Sequence, residues 1–515
     1  MNNSAAILRA LIIYAICIPL AIVVGSTVVS LANSPSYTNF GAFGMLALIL
    51  SLPILLRWHH PLLALTWNLP VTVFFLKGSP QVWLPMMVVS FGISVLQRAM
   101  NKDKRFIPAP QITWPLLLLV VVVLLTAKLT GGIGLQALGN PVMGGKKYVF
   151  LLAGVLGYFA LTAQRIPHRL AGLYVALFFL GGCFSVLGDL VAVVPSWFYF
   201  IFLFFPPDAY AFAGSGDAMR FAGVSVMSSA IFAYMLARYG IKGIFMAGKP
   251  WRLVAFILFS TLGFYGGFRS VLLSCALLFL IQFFLEGLHR TKLLPIFAFV
   301  GLLAAVTCLP MANRLPLTFQ RVLSFLPVNI DPGVRANAQS SLDWRLEMWR
   351  ALLPQVPPHL LLGKGYAITP EDAQLMGSDA ALRSIDPSEQ GLAISGDYHS
   401  GPLSVIIPFG IWGAIVVLWF LIAGVWALHH NRLYGDPALQ TVNTFLLTAF
   451  VARIIIFFFI FGGISGDLVA FAGYLGLSIS LNGGICRPAR HPAAATDAPP
   501  VTIPARPRLQ PAFLR

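Results

Sequence analysis

Charge is what this chain has least of. Only 10% of its residues are Asp, Glu, Lys or Arg, against roughly 25% in soluble domains. Acidic residues are the scarcer kind, 17 against 34 basic ones. A soluble fold is excluded on that ground, and the prior of about 150 residues per soluble domain does not apply. Cysteine is also sparse. Cys17, Cys183, Cys275, Cys308 and Cys486 lie in or beside apolar runs and none forms a CxxC pair. Neither a disulfide framework nor a zinc site is expected of them; they read as small apolar packing residues. Metal-ligand clusters, a Walker loop, a GxSxG elbow and paired carboxylates are all missing, and with them the chemistries those motifs carry. Alternating apolar and polar strands are missing too, which excludes a membrane β-barrel.

What the chain has instead is continuous apolar sequence. It is 58% hydrophobic, with a mean hydropathy of +0.83. Lipid offers backbone groups no partner outside their own helix or a closed barrel, so the core is a helix bundle. At about 20 apolar residues per span, fourteen spans are expected at 8–31, 40–56, 61–76, 80–97, 113–129, 148–164, 170–192, 221–237, 253–268, 270–286, 293–309, 401–428, 438–461 and 467–485. Residues 8–31 are too long and apolar for a cleaved signal peptide and read as a retained span. The pairs 61–97 and 253–286 each have room for a re-entrant or broken helix. The expected fold class is an all-α polytopic membrane protein of about 12–14 transmembrane helices with one large, partly helical outer loop. The expected divisions are transmembrane helices over 1–309, the loop over 310–400, further helices over 401–485, and a disordered basic tail over 486–515.

Lysine and arginine bias sets orientation. With the first residues inside, Arg57, Arg98, Arg105, Arg165, Arg169, Arg238, Lys242, Arg252, Arg290 and Arg432 fall on the inner side. Nearly all of the net +17 charge then faces one way. This is membrane topology, so the basic balance does not indicate nucleic acid. The tail arginines are placed to touch anionic lipid.

The outer loop of about ninety residues is too long to be a mere connector. Residues 340–353 have helical spacing, with Leu342, Leu346, Trp349 and Leu353 on one face and a stop before Pro354. Gly363-Lys-Gly365 reads as a turn, and 366–398 as a polar lid. His399 ends the loop where an apolar helix begins, setting an imidazole at the mouth of a span. Histidine, with a free pKa near ~6.5, accepts or holds a proton at neutral pH. Three arginines stand at outer span ends or in the loop: Arg220, Arg269 and Arg345. A guanidinium grips phosphate oxygens in a two-pronged way and stays charged. Simpler roles stand beside that one: pairing with Asp217 for Arg220, snorkelling for Arg269, an exposed helix position for Arg345. Lys147 precedes a span on the outer side, against the usual bias, and a phosphate contact would explain it. Arg453 lies inside an apolar run. A charge there costs about 2.5–3.5 kcal/mol on insertion scales and needs a partner, for which Asp467 and Asp189 are candidates. A structural pin and a substrate contact are both open for it.

Around His399 the sequence resembles the O-antigen ligase and Wzy polymerase superfamily of bacterial membrane glycosyltransferases. The ligase pattern is His, then Asn, Ser or Gln, nine residues, Gly, two residues and a small residue. His399, Ser400, Gly410 and Gly413 keep that spacing. Upstream, Trp344, Arg345 and Trp349 precede the Gly363-Lys-Gly365 turn, as an arginine and a tryptophan precede a Pro-Gly-x-Gly turn in the family. Arg269 with Leu273, and Arg220 with Gly223, resemble its other functional arginines. The likeness covers roughly 200–480. Ser400 departs from the commoner Asn, and Phe268-Arg-Ser270 from the family's Ser-Arg-Gly. The resemblance implies a GT-C-related fold in the bacterial inner membrane with its site facing the periplasm. It implies metal-independent, inverting transfer of glycan from undecaprenyl diphosphate to lipid A–core or a growing polysaccharide, with no cofactor. His399 is then the base, Arg345 and Arg220 the catalytic cations, and Arg269, Lys147, Trp349 and Arg453 substrate contacts. The alternatives are a Wzy-type polymerase within the class and a lipid or polysaccharide flippase outside it. No pair of related halves, the mark of many transporters, is visible.

Overall fold

The computed structural model describes residues 17–31, 36–76, 78–101, 105–131, 145–207, 209–211, 219–366 and 398–488. The expected lid and nearly all of the expected tail lie outside the described residues. The N-terminal half contributes α1 (Cys17–Leu31), α2 (Tyr37–Thr66), α3 (Trp83–Met100), α4 (Pro110–Thr130), α5 (Lys146–Leu161) and the partly 3-10 helix α6 (His168–Ala192). A hairpin of β1 (Ala209–Ala211) and β2 (Met219–Phe221), the only sheet among the described residues, sets Tyr210 opposite Arg220. Then follow α7 (Ala222–Phe245), α8 (Pro250–Leu262), α9 (Arg269–Leu285) and α10 (Leu293–Cys308). The loop carries α11 (Leu317–Leu323) and α12 (Pro332–Leu352). The last three helices are α13 (Gly401–Tyr434), α14 (Gln440–Phe459) and α15 (Ile464–Asn482).

The chain is thus an all-α polytopic membrane protein. Among the described residues, eight helices are long and apolar enough to cross a membrane, and α1, α9 and α10 are shorter apolar helices. The count of fourteen spans needs one correction. The predicted 40–56 and 61–76 are not separate: α2 runs unbroken through Pro53 and Pro61 to Thr66, and turns follow. Of the polar residues between those two predicted spans, His59 and His60 turn into the bundle while Arg57 and Trp58 stay exposed. His59 and His60 are 2% and 3% exposed. The His59 Nδ1 stands 2.9 Å from Ser90 Oγ, and the His60 Nε2 lies 2.8 Å from the Leu161 carbonyl. Buried polar groups with partners do not break a helix.

The core lies where α5 meets α15 and where α13 packs on α4, α14 and α15. Large aromatic side chains fill it, among them Phe409, Phe420, Phe445, Phe450 and Phe471. One end of the bundle gathers most of the expected inner basic residues. There Glu286, after the last turn of α9, accepts from the Ile241 and Lys242 amides at 2.8 and 3.0 Å. Arg432 Nη2 donates to Leu285 O at 2.5 Å. The other end of α9 begins at Arg269, so the two ends of this helix mark the two faces of the protein.

Candidate active site

The site starts at a break. Between α8 and α9 the Gly263–Gly266 turn leads to Gly267 in the left-handed region, φ 64°. A helix broken at membrane depth releases carbonyls that lipid cannot satisfy. Side chains take them here. Ser225 Oγ donates to Gly263 O at 2.8 Å, Arg220 Nε to Gly266 O at 3.0 Å, and Arg321 Nη1 to Gly267 O at 2.7 Å. Two guanidiniums therefore flank one glycine. Arg220 comes from β2 and also covers the Phe268 ring at 4.3 Å. Arg321, on the short helix α11, is 8% exposed.

α12 lies across this corner. Asp331 caps it, accepting from the Val334 amide at 3.0 Å. Arg321 donates to Asn337 Oδ1 at 3.0 Å and Ser341 Oγ at 3.3 Å. Arg269 Nη2 donates to Ala338 O at 2.9 Å. Burial, and next the nearby charge of Arg269, push the Arg345 guanidinium below its ordinary pKa. Its Nε is buried with no hydrogen-bond partner among the described residues. Four arginines from α9, α11, α12 and β2 thus meet at one place.

The same helix reaches the histidine. The Trp344 ring meets that of His399 edge-on, centroids 5.4 Å apart. Trp349 Nε1 donates to Tyr398 O at 2.9 Å. Met348 and Leu352 pack with Tyr398 and with Ile407 of α13. His399 itself has φ 44°, a conformation uncommon for a non-glycine residue and worth about 1–3 kcal/mol of strain. Tyr398, which is buried, and the Trp344 and Trp349 contacts hold it there.

The expected stripe of α12 is corrected by these contacts. Leu342, Leu346 and Leu353 are exposed, at 45%, 37% and 55%. The packed face is Val334, Ala338, Ser341, Arg345, Met348 and Leu352, one position round the helix. It carries polar groups that a hydropathy reading discards. Trp349, read on the leucine stripe, is the member that does pack.

The glycine turn has its own socket. Gly363 and Gly365 have φ of 75° and 68°. Lys364 N donates to Ile407 O at 2.7 Å, Gly365 N to Pro408 O at 3.0 Å, and Ile411 N to Leu360 O at 2.7 Å. α13 is opened there by Pro408, which lacks an N–H, and by Gly410 at φ 61°, ψ −159°. The turn and the kink of α13 therefore exchange backbone bonds. Lys147 stands at this turn, its Nζ 5.9 Å above the Tyr366 ring, and Tyr366 N donates to Tyr148 Oη at 2.8 Å.

Arg453 pairs with Asp467, one of its two candidate partners, through Nε and Oδ1. Asp467 also accepts from Gly463 N at 2.8 Å and is 2% exposed. Asp189 accepts from the Gly223 and Val224 amides at the start of α7. Next to the Arg453 pair, Ile464 N donates to Ser404 Oγ at 2.9 Å, so it sits below the first turns of α13. Asp217, suggested for Arg220, lies outside the described residues.

Residues 254–418 match the model of the O-antigen ligase family, Wzy_C. Over that stretch, about a third of its length, the chain is similar to the O-antigen ligase and Wzy superfamily. No curated protein matches it. The matched stretch is narrower than the expected 200–480. It contains the α8–α9 break, Arg269, Arg321, Arg345, Trp349, His399 and Gly410, while Arg220, Lys147 and Arg453 fall outside. The match supports a function of the ligase or polymerase type in general. Two residues of this corner were not singled out from sequence. Trp344 stood within the quoted motif as a bystander. Arg321 follows Leu317 at helical spacing, and a lone cation on the buried stripe of a short helix was the available signal.

Proposed function

We propose that this O-antigen ligase-type protein transfers glycan from undecaprenyl diphosphate to lipid A–core at the periplasmic face of the bacterial inner membrane. The supporting observation is the pairing of Arg269 with Arg345. Two half-buried like charges approach each other, no described carboxylate pairs with either, and one Nε has no partner. A diphosphate between them would relieve the repulsion and accept from that nitrogen. The leaving diphosphate gains charge as the sugar departs, and preorganised cations act most strongly in a water-poor site. Arg345 and Arg220 take that role, and Arg269 holds the donor. His399, carried on Trp344 across the same helix, is the base that takes the acceptor hydroxyl's proton. The anomeric centre inverts, because a single displacement from the face opposite the diphosphate accounts for every group assigned. Trp349 is a positioning residue for His399. Lys147, at the glycine turn, is placed for a more distal part of the glycan-lipid. Arg453 is a pin for α14 and α15 beneath the site, in place of a direct substrate contact.

The test is transfer by the purified protein in detergent or nanodiscs, from lipid-linked glycan to lipid A–core. His399→Ala should abolish transfer while insertion and helix content stay as in the parent, and EDTA should leave the parent rate unchanged. Normal product from His399→Ala would remove the base assignment. A deletion strain that accumulates single repeats on lipid, in place of unattached long polymer, would reassign the chain to polymerisation.

A further inference from the structure

We propose that the end of the bundle opposite the arginine corner binds one anionic phospholipid. Its phosphate would lie among Arg98, Arg105 and Arg165, and an acyl chain in the groove between α3 and α4. The observation is a polar pocket joined to an apolar one. The first, about 250 Å³, is lined by the three arginines with Ser94, Gln97 and Gln164. The second, about 450 Å³, is lined almost wholly by apolar side chains, among them Phe91, Leu117, Tyr158 and Phe159. Phe106 lines both. The Arg98 guanidinium lies 5.3 Å over that ring, and Phe91 stacks on it at 6.0 Å. The joining segment is fixed in place, since Ile107 N donates to Thr162 O at 3.2 Å at the end of α5.

Among the described residues no carboxylate pairs with Arg98, Arg105 or Arg165. Among the described residues, the hydrogen bond these three make is Arg165 Nη2 to His168 Nε2 at 3.1 Å. Three convergent cations want a phosphate. The adjoining groove wants hydrocarbon. Free phosphate leaves the groove unfilled, and a neutral lipid leaves the cations unmatched. A lipid with a net negative headgroup satisfies both, and basic pockets at the inner ends of spans are suited to such headgroups. This site is separate from the transfer site and stands whatever the reaction there.

The experiment is native mass spectrometry of the full-length protein released from micelles containing phosphatidylglycerol and phosphatidylcholine of equal chain length. The parent should retain phosphatidylglycerol about a hundredfold over phosphatidylcholine, and R98Q/R105Q/R165Q should bring the two near equality, since each basic residue near a surface is worth on the order of fivefold. Leu117→Trp, filling the groove, should weaken retention of both lipids. R169Q/R290Q, which removes two cations of the same face outside the pocket, should keep the parent preference. A parent-like preference retained in the triple variant, an equal loss of preference in R169Q/R290Q, or displacement of the lipid by millimolar inorganic phosphate would each overturn the proposal. If the triple variant fails to insert, R105Q alone reads the same shift in smaller measure. Arg105 makes no hydrogen bond or ion pair in the described fold, so an unchanged preference there would overturn it equally.

Discussion

At the scale of single residues, Arg345 carries the clearest tension in the molecule. Its guanidinium is half-buried, faces the charge of Arg269 and keeps one nitrogen unpartnered. Burial lowers its pKa, yet guanidinium starts so high that it stays charged throughout the working range. What substitution changes is therefore geometry. Arg345→Ala should slow transfer by about 100-fold or more, the usual loss when one charge-stabilising donor goes. Arg345→Lys restores the charge without the fork and should recover only part, remaining roughly tenfold below the parent. Initial rates on the reconstituted protein measure both, and a lysine variant as fast as the parent would remove the two-pronged contact. The sequence pointed to Arg345, Arg269 and Arg220 because cations are rare in so apolar a chain. It did not point to Arg321, because a loop arginine is ordinarily solvated. Only the broken corner, with Gly267 O to be satisfied, draws that side chain inward.

At the scale of elements, two interruptions do the positioning. The α8–α9 break collects the arginines, and the kink in α13 accepts the glycine turn. Gly410 sits at φ 61° and ψ −159°, a region essentially restricted to glycine. A β-carbon there would stand 2.6 Å from Leu360 O, and one on Gly363 would stand 2.2 Å from Pro408 O. Gly410→Ala and Gly363→Ala should each destabilise the protein by about 2–3 kcal/mol, combining strain with a carbonyl that cannot move aside. Gly301→Ala is the control: nothing lies within 4 Å of its β-carbon, and alanine is the better helix former. Thermal unfolding in detergent should lower the midpoint for the first two and leave or raise it for the third. The glycine spacing was legible in the sequence as a motif. That its members form one backbone joint was not, because residues 363 and 410 are joined only when the loop folds back onto α13. The α12 stripe was misplaced for a related reason: its partner is an arginine corner as well as an apolar surface.

At the scale of the whole molecule, the two faces divide the chemistry. One end holds Arg98, Arg105, Arg165, Arg432 and Glu286, and the arginine corner with His399 lies at the other. The last helices are tied across the bundle by Arg453 and Asp467. Removing one member of a buried pair strands the other, at about 3–5 kcal/mol, and the lower figure suits a pair whose arginine is one-third exposed. Arg453→Met and Asp467→Asn should therefore each lower the unfolding midpoint by several degrees, and the double variant should lose less than the two singles together. Additive losses would show that the two side chains act independently and that Arg453 is no pin.

The residue list alone settled the class of fold and the places where chemistry was affordable. An apolar chain in lipid has helices as its only open structure, and each rare cation or imidazole within it needs a reason. The order of Arg345, the glycine turn and His399 along the chain was likewise visible before any fold. Their convergence was not. Arg220, Arg269, Arg321 and Arg345 come from four elements spread over more than a hundred residues. They meet because a broken helix must satisfy its released carbonyls, and because α12 turns its polar face, not its leucines, toward that break. Such pairings depend on which surfaces are left over once the helices have packed, and periodicity along one strand of sequence carries no record of that.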